Sequence, residues 1–500
     1  VIKAQASGNW SAVGTWSGGV VPTLNDTVYA NSFTVALDQS IDLTGSTVDT
    51  SGSFIPGQIY MIVSLGTTNF ALTANCIAPG TNAGTPVAIT SAVGQIFQAV
   101  NAGTATTGTA RRMGALLNYI NTPLTIATGG GFALSANYNI TGAYIQAGSA
   151  NGLTVSGTAS PTLTNCYAIG SAFTAATRAI LSSTSGTLTC STLVAIGGRV
   201  SGTYPNSPMA VEVTAGTAVF NTASSLTGGS GTDSFCVLTQ SGSTTNISNS
   251  SISGGSGTST HGFNSLGTTT ITSSTITGAT GIGFIYGGTT TTTITGSTIT
   301  GGTNPGIYHN STAQLNIGGT ITGGTATAGY GLQNALGATV AITGSVTGAT
   351  GAGVYNATTG PVTITGNITA STAAGVINVS TGTVTINGTL TPTTSVHALQ
   401  CTNTTGANIT LSGSLIYASN GFAPTNCLKF LVNPTPTMAK VRFAKNGSTT
   451  YSDFFTADNS LGQAAITDVR FGTVYASGAL TGVAYIPAAS SVGFGVPVDN

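Results

Sequence analysis

Charged residues are what this sequence lacks most. Its 500 residues include only ten acidic and ten basic side chains, and residues 234–428 contain none, a run of 195. An ordinary soluble domain uses charged residues for about a quarter of its positions. The formal net charge of zero also leaves no basic stripe for nucleic acid and no polybasic patch for lipid headgroups. These absences favour an architectural role over catalysis.

Several other features are missing. The longest apolar runs are broken by Gly, Thr or Ser, so no transmembrane helix is predicted. The chain starts at Val1 without a methionine or a charged-then-apolar leader, which indicates a processed or partial chain and gives no cellular address. Six cysteines are too few for a disulfide scaffold at this length. The hydrophobic fraction of 40% and the zero net charge argue against disorder.

What the sequence does contain is a repeat. An apolar residue in the second strand-like triplet of each unit recurs every 22–26 residues, at Leu226, Ile252, Ile276, Ile299, Ile321, Val346, Ile368, Leu390 and Leu415. Such periods are typical of solenoids, propellers and arrays. Triplets such as Thr-Ile-Thr alternate in the manner of half-buried strands, and Gly, Asn and Ser-Gly breaks separate them.

The length of the repeat selects the type of solenoid. About 23 residues at roughly 3.3 Å each allow three short strands and three bends per turn. The sequence therefore predicts an all-β protein built on a right-handed parallel β-helix of about ten to twelve coils, with 22–26 residues in each coil. Composition shifts predict four parts: an N-terminal cap (1–50), an inserted small β module (51–130), the β-helix (131–428) and a C-terminal β domain (429–500).

Stacking explains the missing charge. Equivalent side chains of successive coils lie about 4.8 Å apart, so identical charges would repel at every step, whereas rows of Thr, Ser and Asn can form hydrogen bonds. The same reasoning makes two cysteine pairs possible stacked neighbours, because Cys166 and Cys190, like Cys401 and Cys427, are separated by close to one coil of sequence. The alternative is that these cysteines serve as small buried hydrophobes.

Three segments resemble proteins of tailed-phage virions. The opening resembles the cap of β-helical proteins in phage virions and on bacterial surfaces. A second segment looks like a small β module of phage tail and capsid-surface proteins, and a third, near the end, is similar to a segment of the same class. These segments comprise residues 8–11, 15–22 and 25–28, then 56–70, 94–97 and 103–108, and finally 468–475, 478–482 and 495–500.

The resemblance covers about a third of the chain and implies a virion appendage or capsid-surface protein of the fibre, spike or decoration type. Such proteins are commonly homotrimeric, contact other virion proteins and attach to host surface glycans. No catalytic residue is carried over, and no cofactor, nucleic acid or membrane is expected. Two alternatives remain: a secreted bacterial surface adhesin or filament subunit with the same β-helix, and a glycan depolymerase tailspike.

Candidate chemistry is sparse. Glycoside hydrolysis generally takes two carboxylates about 5 to 9.5 Å apart, and the only carboxylates in residues 200–428 are Glu212 and Asp233. Their separation in sequence is close to one coil, so they are the weak catalytic candidates, and a solvated pair is the alternative. The basic candidate contacts lie outside the neutral run: Arg111, Arg112, Lys440, Arg442, Lys445 and Arg470.

Metal and ice binding are both weakly indicated. His261, His309 and His397 follow one another at intervals of roughly two and four coils, so we expect turn or surface positions and no shared metal. The aspartates of the first 50 residues lack the ligand loop of a calcium site. Rows of threonine could bind ice, but the clearest run, residues 289–293, is not repeated in register by the other units.

Overall fold

A computed structural model of the chain describes residues 1–71, 75–77, 89–118, 130–171, 177–198, 208–393 and 397–402, together with the strands within 119–126 and 409–481. The fold is 46% strand and 1% helix, and its parallel coils make about 14 turns. Contacts divide the chain into two compact units, Val1–Thr303 and Asn304–Asn500. The predicted parallel β-helix is confirmed.

In the first unit each full coil contributes one strand to each of three parallel rows. The first row holds Ile2–Lys3, Thr27–Tyr29, Ala115–Leu117, Tyr144–Gln146, Tyr167–Ile169, Val194–Ile196, Ser225–Thr227, Ser251–Ser253 and Thr275–Thr277. The second row holds Gly8–Asn9, Thr34–Ala36, Gly131–Leu134, Leu153–Val155, Arg178–Ser182, Met209–Val213, Phe235–Thr239, His261–Ser265 and Phe284–Tyr286. The third row holds Ile41–Asp42, Ile140–Thr141, Thr162–Thr164, Thr187–Ser191, Thr217–Asn221, Thr244–Ser248 and Thr268–Thr272. Thr292–Thr300 pairs with the third row and then with the first.

The second unit repeats the arrangement with shorter strands. Its first row holds Ser345–Gly348, Asn367–Ala370, Thr389–Pro392, Leu415–Ala418 and Arg442–Lys445. Its second row holds Ile307–His309, Leu332–Asn334, Val354–Asn356, Val376–Asn378, Leu399–Cys401 and Leu428–Phe430. Its third row holds Val340–Ile342, Val362–Ile364, Val384–Ile386, Ile409–Ser412 and Thr437–Ala439, and Leu315–Thr322 serves the third and then the first row. Val474–Tyr475 and Leu480–Thr481 form an antiparallel pair.

The first 43 residues belong to the solenoid, which corrects the prediction of a cap in 1–50 and a helix starting at 131. Val28 pairs in parallel with both Ile2 and Leu116, so the segment forms coils of its own. The chain leaves the solenoid after Leu43 and returns at Gly114, whose N–H donates to the Leu43 carbonyl at 3.1 Å. This insertion separates the strands of neighbouring coils and hides their period.

The inserted module is a five-stranded antiparallel sheet within residues 48–113. Its strands are Val48–Thr50, Ile59–Ser64, Cys76–Ile77, Ile96–Ala99 and Thr109–Met113. Ile59, Ile96 and Met113 share a buried cluster with residues of the first row, including Tyr29 and Tyr144. The module therefore packs on the first row. The other small elements are the antiparallel pair Tyr119–Ile120 and Thr125–Ile126 and the 3-10 helix Val13–Thr15.

The coils also continue past the predicted boundary at 428. Leu428–Phe430 and Thr437–Ala439 pair in parallel with the preceding strands of their rows, and Arg442–Lys445 pairs with Leu415–Ala418. The return of charge at Lys429 therefore does not mark the end of the solenoid. Coils at both ends raise the number of turns above the predicted ten to twelve.

Aliphatic ladders form the core of each unit. Leu226, Ile252, Ile276 and Ile299 align in the first unit, and each is at most 1% exposed. The second unit aligns Ile321, Val346, Ile368 and Leu390 in the same way, but pairs Leu390 with Ile416 rather than with the predicted Leu415. Full burial of each such side chain contributes about 1.5–3 kcal/mol relative to exposure.

Polar ladders satisfy the backbone at two of the bends. In the first unit Ser250 donates its N–H to the Ser274 hydroxyl at 3.2 Å, and Ser274 does the same to Ser297 at 3.1 Å. In the second unit Asn334 donates to the Asn356 side-chain oxygen at 3.0 Å, and Asn356 to Asn378 at 3.1 Å. These three asparagines are fully buried and also donate to carbonyls of the following bend.

Candidate functional site

Glu212 lies in an ion pair on the second row of the first unit. Its Oε2 accepts a hydrogen bond from Arg178 Nε at 2.6 Å, and its Oε1 accepts one from Gln240 Nε2 at 2.9 Å. The side chains of Arg178 and Glu212 are only 12% and 11% exposed. Both carboxylate oxygens therefore have fixed partners, which suits a structural ion pair and leaves Glu212 poorly placed as a general acid or nucleophile.

Asp233 does not join Glu212. Glu212 aligns with Leu238 in the next coil, whereas Asp233 lies exposed in the turn before Phe235 with a φ of 50°. Three strand residues, roughly 10 Å, already separate Phe235 from Leu238. The two candidate carboxylates thus lie toward different ends of one strand position, and the neighbouring Arg199 lies outside the described residues.

The histidines His261 and His309 are buried in strands, so their predicted turn or surface positions are wrong. The Nδ1 of His261 accepts the Ile282 N–H at 2.9 Å, and its ring stacks on Phe235 with centroids 5.2 Å apart. Burial lowers the pKa of His261 to about 4, against the opposite effect of Asp233. His309 places Nδ1 3.2 Å from the Asn334 side-chain oxygen and thereby joins the asparagine ladder.

The acidic side chains near the start of the chain hold the backbone. Asp38 accepts a hydrogen bond from the Ser11 backbone at 2.9 Å, and Asp42 accepts one from the Thr44 backbone at 2.9 Å. Across the residues that the structure describes, no group of three or more His, Cys, Asp or Glu side chains could hold a metal ion. No helix in the described part of the chain is long and apolar enough to cross a membrane.

The two adjacent arginines of the module differ in their surroundings. Arg112 forms two hydrogen bonds to the Asp49 carboxylate, at 2.6 and 3.0 Å, and Tyr60 donates to the same carboxylate at 2.7 Å. Burial would raise the pKa of Asp49, but these bonds outweigh it and lower that pKa. Arg112 is therefore held within the module, while Arg111 is half-buried with Nη2 3.9 Å from Met61 Sδ.

The remaining basic candidates lie toward the end of the chain. Arg442 and Lys445 are the end residues of strand Arg442–Lys445. Lys440 and Arg470 lie outside the described residues. The predicted contact role of these four residues stays a prediction.

The cysteines are not stacked as their spacing predicted. Cys190 pairs with Leu163 in the preceding coil, because that coil is longer than the separation of the two cysteines, and Cys166 lies beyond the strand Thr162–Thr164. Both thiols are free and buried. Cys401 is also free and pairs with Phe430, while Cys427 lies outside the described residues. Burial raises the pKa of Cys166 to about 12, so the thiol is neutral and unreactive.

A flat face of hydroxyl groups runs along the first row. In the first unit Ser225, Ser251, Thr275 and Thr298 align and are exposed, with a second, half-exposed column at Thr227, Ser253, Thr277 and Thr300. The second unit aligns Thr320, Ser345, Asn367 and Thr389. A register of hydroxyls therefore exists, contrary to the expectation drawn from residues 289–293. We call these side chains the hydroxyl face.

A second exposed ladder follows the second row of the second unit. Tyr308, Gln333, Tyr355, Ile377 and Gln400 align one per coil, and all are half-exposed. Tyr330 lies beside this ladder and stacks on Tyr355, with ring centroids 4.6 Å apart and planes 12° apart. We call these six residues the Tyr–Gln strip. Its residues are too dissimilar in type for the repeat alone to reveal it.

No protein-family model matches the chain, and no curated protein matches it. Any assignment of function therefore rests on the geometry of these surfaces and on the sequence motifs.

Proposed function

We propose that the protein is a structural and attachment subunit of a tailed-phage virion, in a fibre, spike or capsid-surface decoration. The observation that carries the proposal is the outer surface of the coils: long in-register rows of uncharged side chains on parallel coils. Such a surface suits extended adhesive contact, because many weak contacts repeat at one spacing. The motifs that resemble virion proteins supply the location, and homotrimeric assembly follows from the same resemblance.

Rigidity supports the structural part of the proposal. Every coil pairs its backbone with the next in up to three rows, and ladders of aliphatic, serine and asparagine side chains add contacts between the same coils. Dense packing of this kind resists deformation. Each unit can therefore hold its outward side chains at fixed positions, as an attachment surface requires.

The test of location is peptide mapping of purified phage particles from the host strain. We expect peptides of this chain at stoichiometric amounts in the particles, and sedimentation of the recombinant chain as a trimer. Peptides found instead in the washed bacterial surface fraction, with secretion and cell-wall genes as neighbours, would support the alternative of a bacterial adhesin and overturn the virion assignment.

A non-catalytic role is tested separately. We expect no shortening of host polysaccharide by the purified chain. If shortening is seen, the pair Glu212→Gln and Asp233→Asn decides whether the candidate carboxylates cause it, because each change removes the charge while nearly keeping the size of the side chain. Loss of cleavage in that double variant, with its folding intact, would establish the depolymerase alternative.

The hydroxyl face favours a second candidate function, which is binding to a flat crystalline surface such as ice. Its columns repeat at about 4.8 Å between coils and about 6.6 Å along each strand, with methyl groups beside the hydroxyls. Thermal hysteresis of the purified chain is the measurement. Activity that disappears in Thr298→Tyr, which places a bulky ring on the flat face, would support this function; no hysteresis would dismiss it.

A further inference from the structure

We propose that the Tyr–Gln strip binds an uncharged polysaccharide chain laid along the coil axis of the second unit. The inference rests on the attachment role proposed above and names its partner. It concerns Tyr308, Gln333, Tyr355 and Gln400 as hydrogen-bonding positions, with Tyr330 and Ile377 supplying apolar surface. The hydroxyl face and the inserted module take no part in it.

The strip has unused hydrogen-bonding capacity. Within the described residues, the three tyrosine hydroxyls and the two glutamine amides make no hydrogen bond to the protein. The tyrosine and glutamine side chains are nevertheless half-buried, so their positions are restricted by the surrounding side chains. A phenol and a carboxamide can each donate and accept. The strip therefore offers a row of fixed donors and acceptors to an external ligand.

Charge indicates that this ligand is neutral. The strip lies within residues 234–428, which contain no acidic or basic residue. A negatively charged polymer would find no cation to balance its desolvation, and nucleic acid would lack the phosphate contacts that dominate its binding. An uncharged chain loses nothing by the absence of counter-charges.

Spacing indicates that the ligand is a polymer. Five aligned residues in successive coils extend over roughly 19 Å along the axis. A ligand that repeats a polar group at short intervals can meet several of them at once, which multiplies weak contacts. Polysaccharides combine closely spaced hydroxyls with apolar C–H faces on each sugar ring. Tyrosine provides both kinds of contact with little loss of side-chain entropy.

A second copy of the chain fits the strip less well. Stable interfaces between proteins usually have an apolar core of packed aliphatic and aromatic side chains. The strip has Ile377 as its aliphatic member, set between amides and phenols. Self-association through the strip is therefore an outcome that the experiment must separate.

The experiment compares the full chain with the variant Tyr308→Ser/Tyr355→Ser on an array of neutral and acidic polysaccharides, with sedimentation of each protein in parallel. The matched control is Tyr138→Ser, a half-exposed tyrosine of the first unit away from the strip. We expect binding to a neutral polysaccharide that weakens by about tenfold for each tyrosine removed. Gln333→Ala should weaken binding by a similar factor.

Each result decides the proposal. Loss of binding in the strip variant, with circular dichroism and the control unchanged, supports it. Equal binding by wild type and strip variant, preference for acidic polysaccharides, or a change in sedimentation without sugar binding overturns it. Failure to bind any polysaccharide also overturns it, yet leaves the virion role intact, because peptide mapping tests that role independently.

Discussion

The outer face of the second row differs between the two units. In the first unit the ladder Leu181, Glu212, Leu238, Asn264 and Ile285 contains three residues that are at most 8% exposed, and its carboxylate is paired with Arg178. In the second unit the equivalent ladder runs from Tyr308 to Gln400, contains no charge and is half-exposed throughout. Both ladders have the same parallel register.

Strand length accompanies the difference. Met209–Val213, Phe235–Thr239 and His261–Ser265 have five residues each and are buried at every position. Val354–Asn356 and Val376–Asn378 have three, with a single outward residue between two buried ones. The parallel backbone therefore specifies the stacking but leaves the outer surface free to be either an additional buried layer or an exposed contact face.

The largest effect is expected from breaking the ion pair of the first unit. Glu212→Ala leaves the Arg178 guanidinium without its charge partner in a mostly buried position. We expect a loss of about 3–5 kcal/mol in the free energy of unfolding, measured by guanidinium titration. The double variant Arg178→Leu/Glu212→Leu should recover to within about 1 kcal/mol of wild type. Equal losses in both variants would show that the pair acts through packing rather than charge.

Acid should weaken the first unit next most strongly. The folded-state pKa of His261 is about 4, below the ordinary value of 6.5, so the unfolded chain binds more protons between these values. Stability is complete above pH 6.5 and falls toward pH 4, by about 3 kcal/mol from this group. His261→Gln, which retains an acceptor for Ile282, should flatten the pH profile measured by thermal unfolding. An unchanged profile would contradict the assignment.

A smaller effect is expected inside the second unit. Asn356→Ala removes the amide between Asn334 and Asn378 and leaves a buried Asn378 oxygen without its donor. We expect a loss of about 2 kcal/mol by chemical denaturation. Asn367→Ala, at an exposed first-row position, is the matched control and should change stability by less than about 0.5 kcal/mol. Similar losses in both would refute a special role of the buried ladder.

The smallest effect on stability is expected on the Tyr–Gln strip. Tyr355→Ser removes the stack with Tyr330 but no hydrogen bond to the described protein. We expect a loss of about 0.5–1 kcal/mol in thermal unfolding experiments. This places the outer ladder of the second unit well below that of the first. A loss comparable to that of Glu212→Ala would remove the distinction between the two faces.

The period was predictable because one type of residue recurs. Isoleucine, valine and leucine occupy the first-row core in every coil from Leu226 to Leu390, and their spacing varies little. The earlier coils were hidden because residues 44–113 interrupt them. The coil that joins Ile180 to its partner Val211 is longer than the predicted range allows, so no period could bring Arg178 and Glu212 together. Spacing alone likewise misplaced the cysteines.

The candidate surfaces were only partly predictable. Uncharged rows followed from composition, but which serines and threonines share a row depends on the length of every bend. The Tyr–Gln strip needed the structure, because its residues alternate in type and their common orientation appears only from the pairing of Tyr308 with Gln333 and of Gln333 with Tyr355. Periodicity detects identical neighbours; it does not detect a functional row of unlike ones.

The equal spacing of Asn334, Asn356 and Asn378 has a consequence for inheritance. Each lies 22 residues after the last and offers the same donor and acceptor to its neighbour. A recombination that removes or duplicates one such interval of codons therefore joins a coil to an equivalent partner. The second unit can change its height in steps of about 4.8 Å between generations, and its reach is thereby open to selection without any new packing solution.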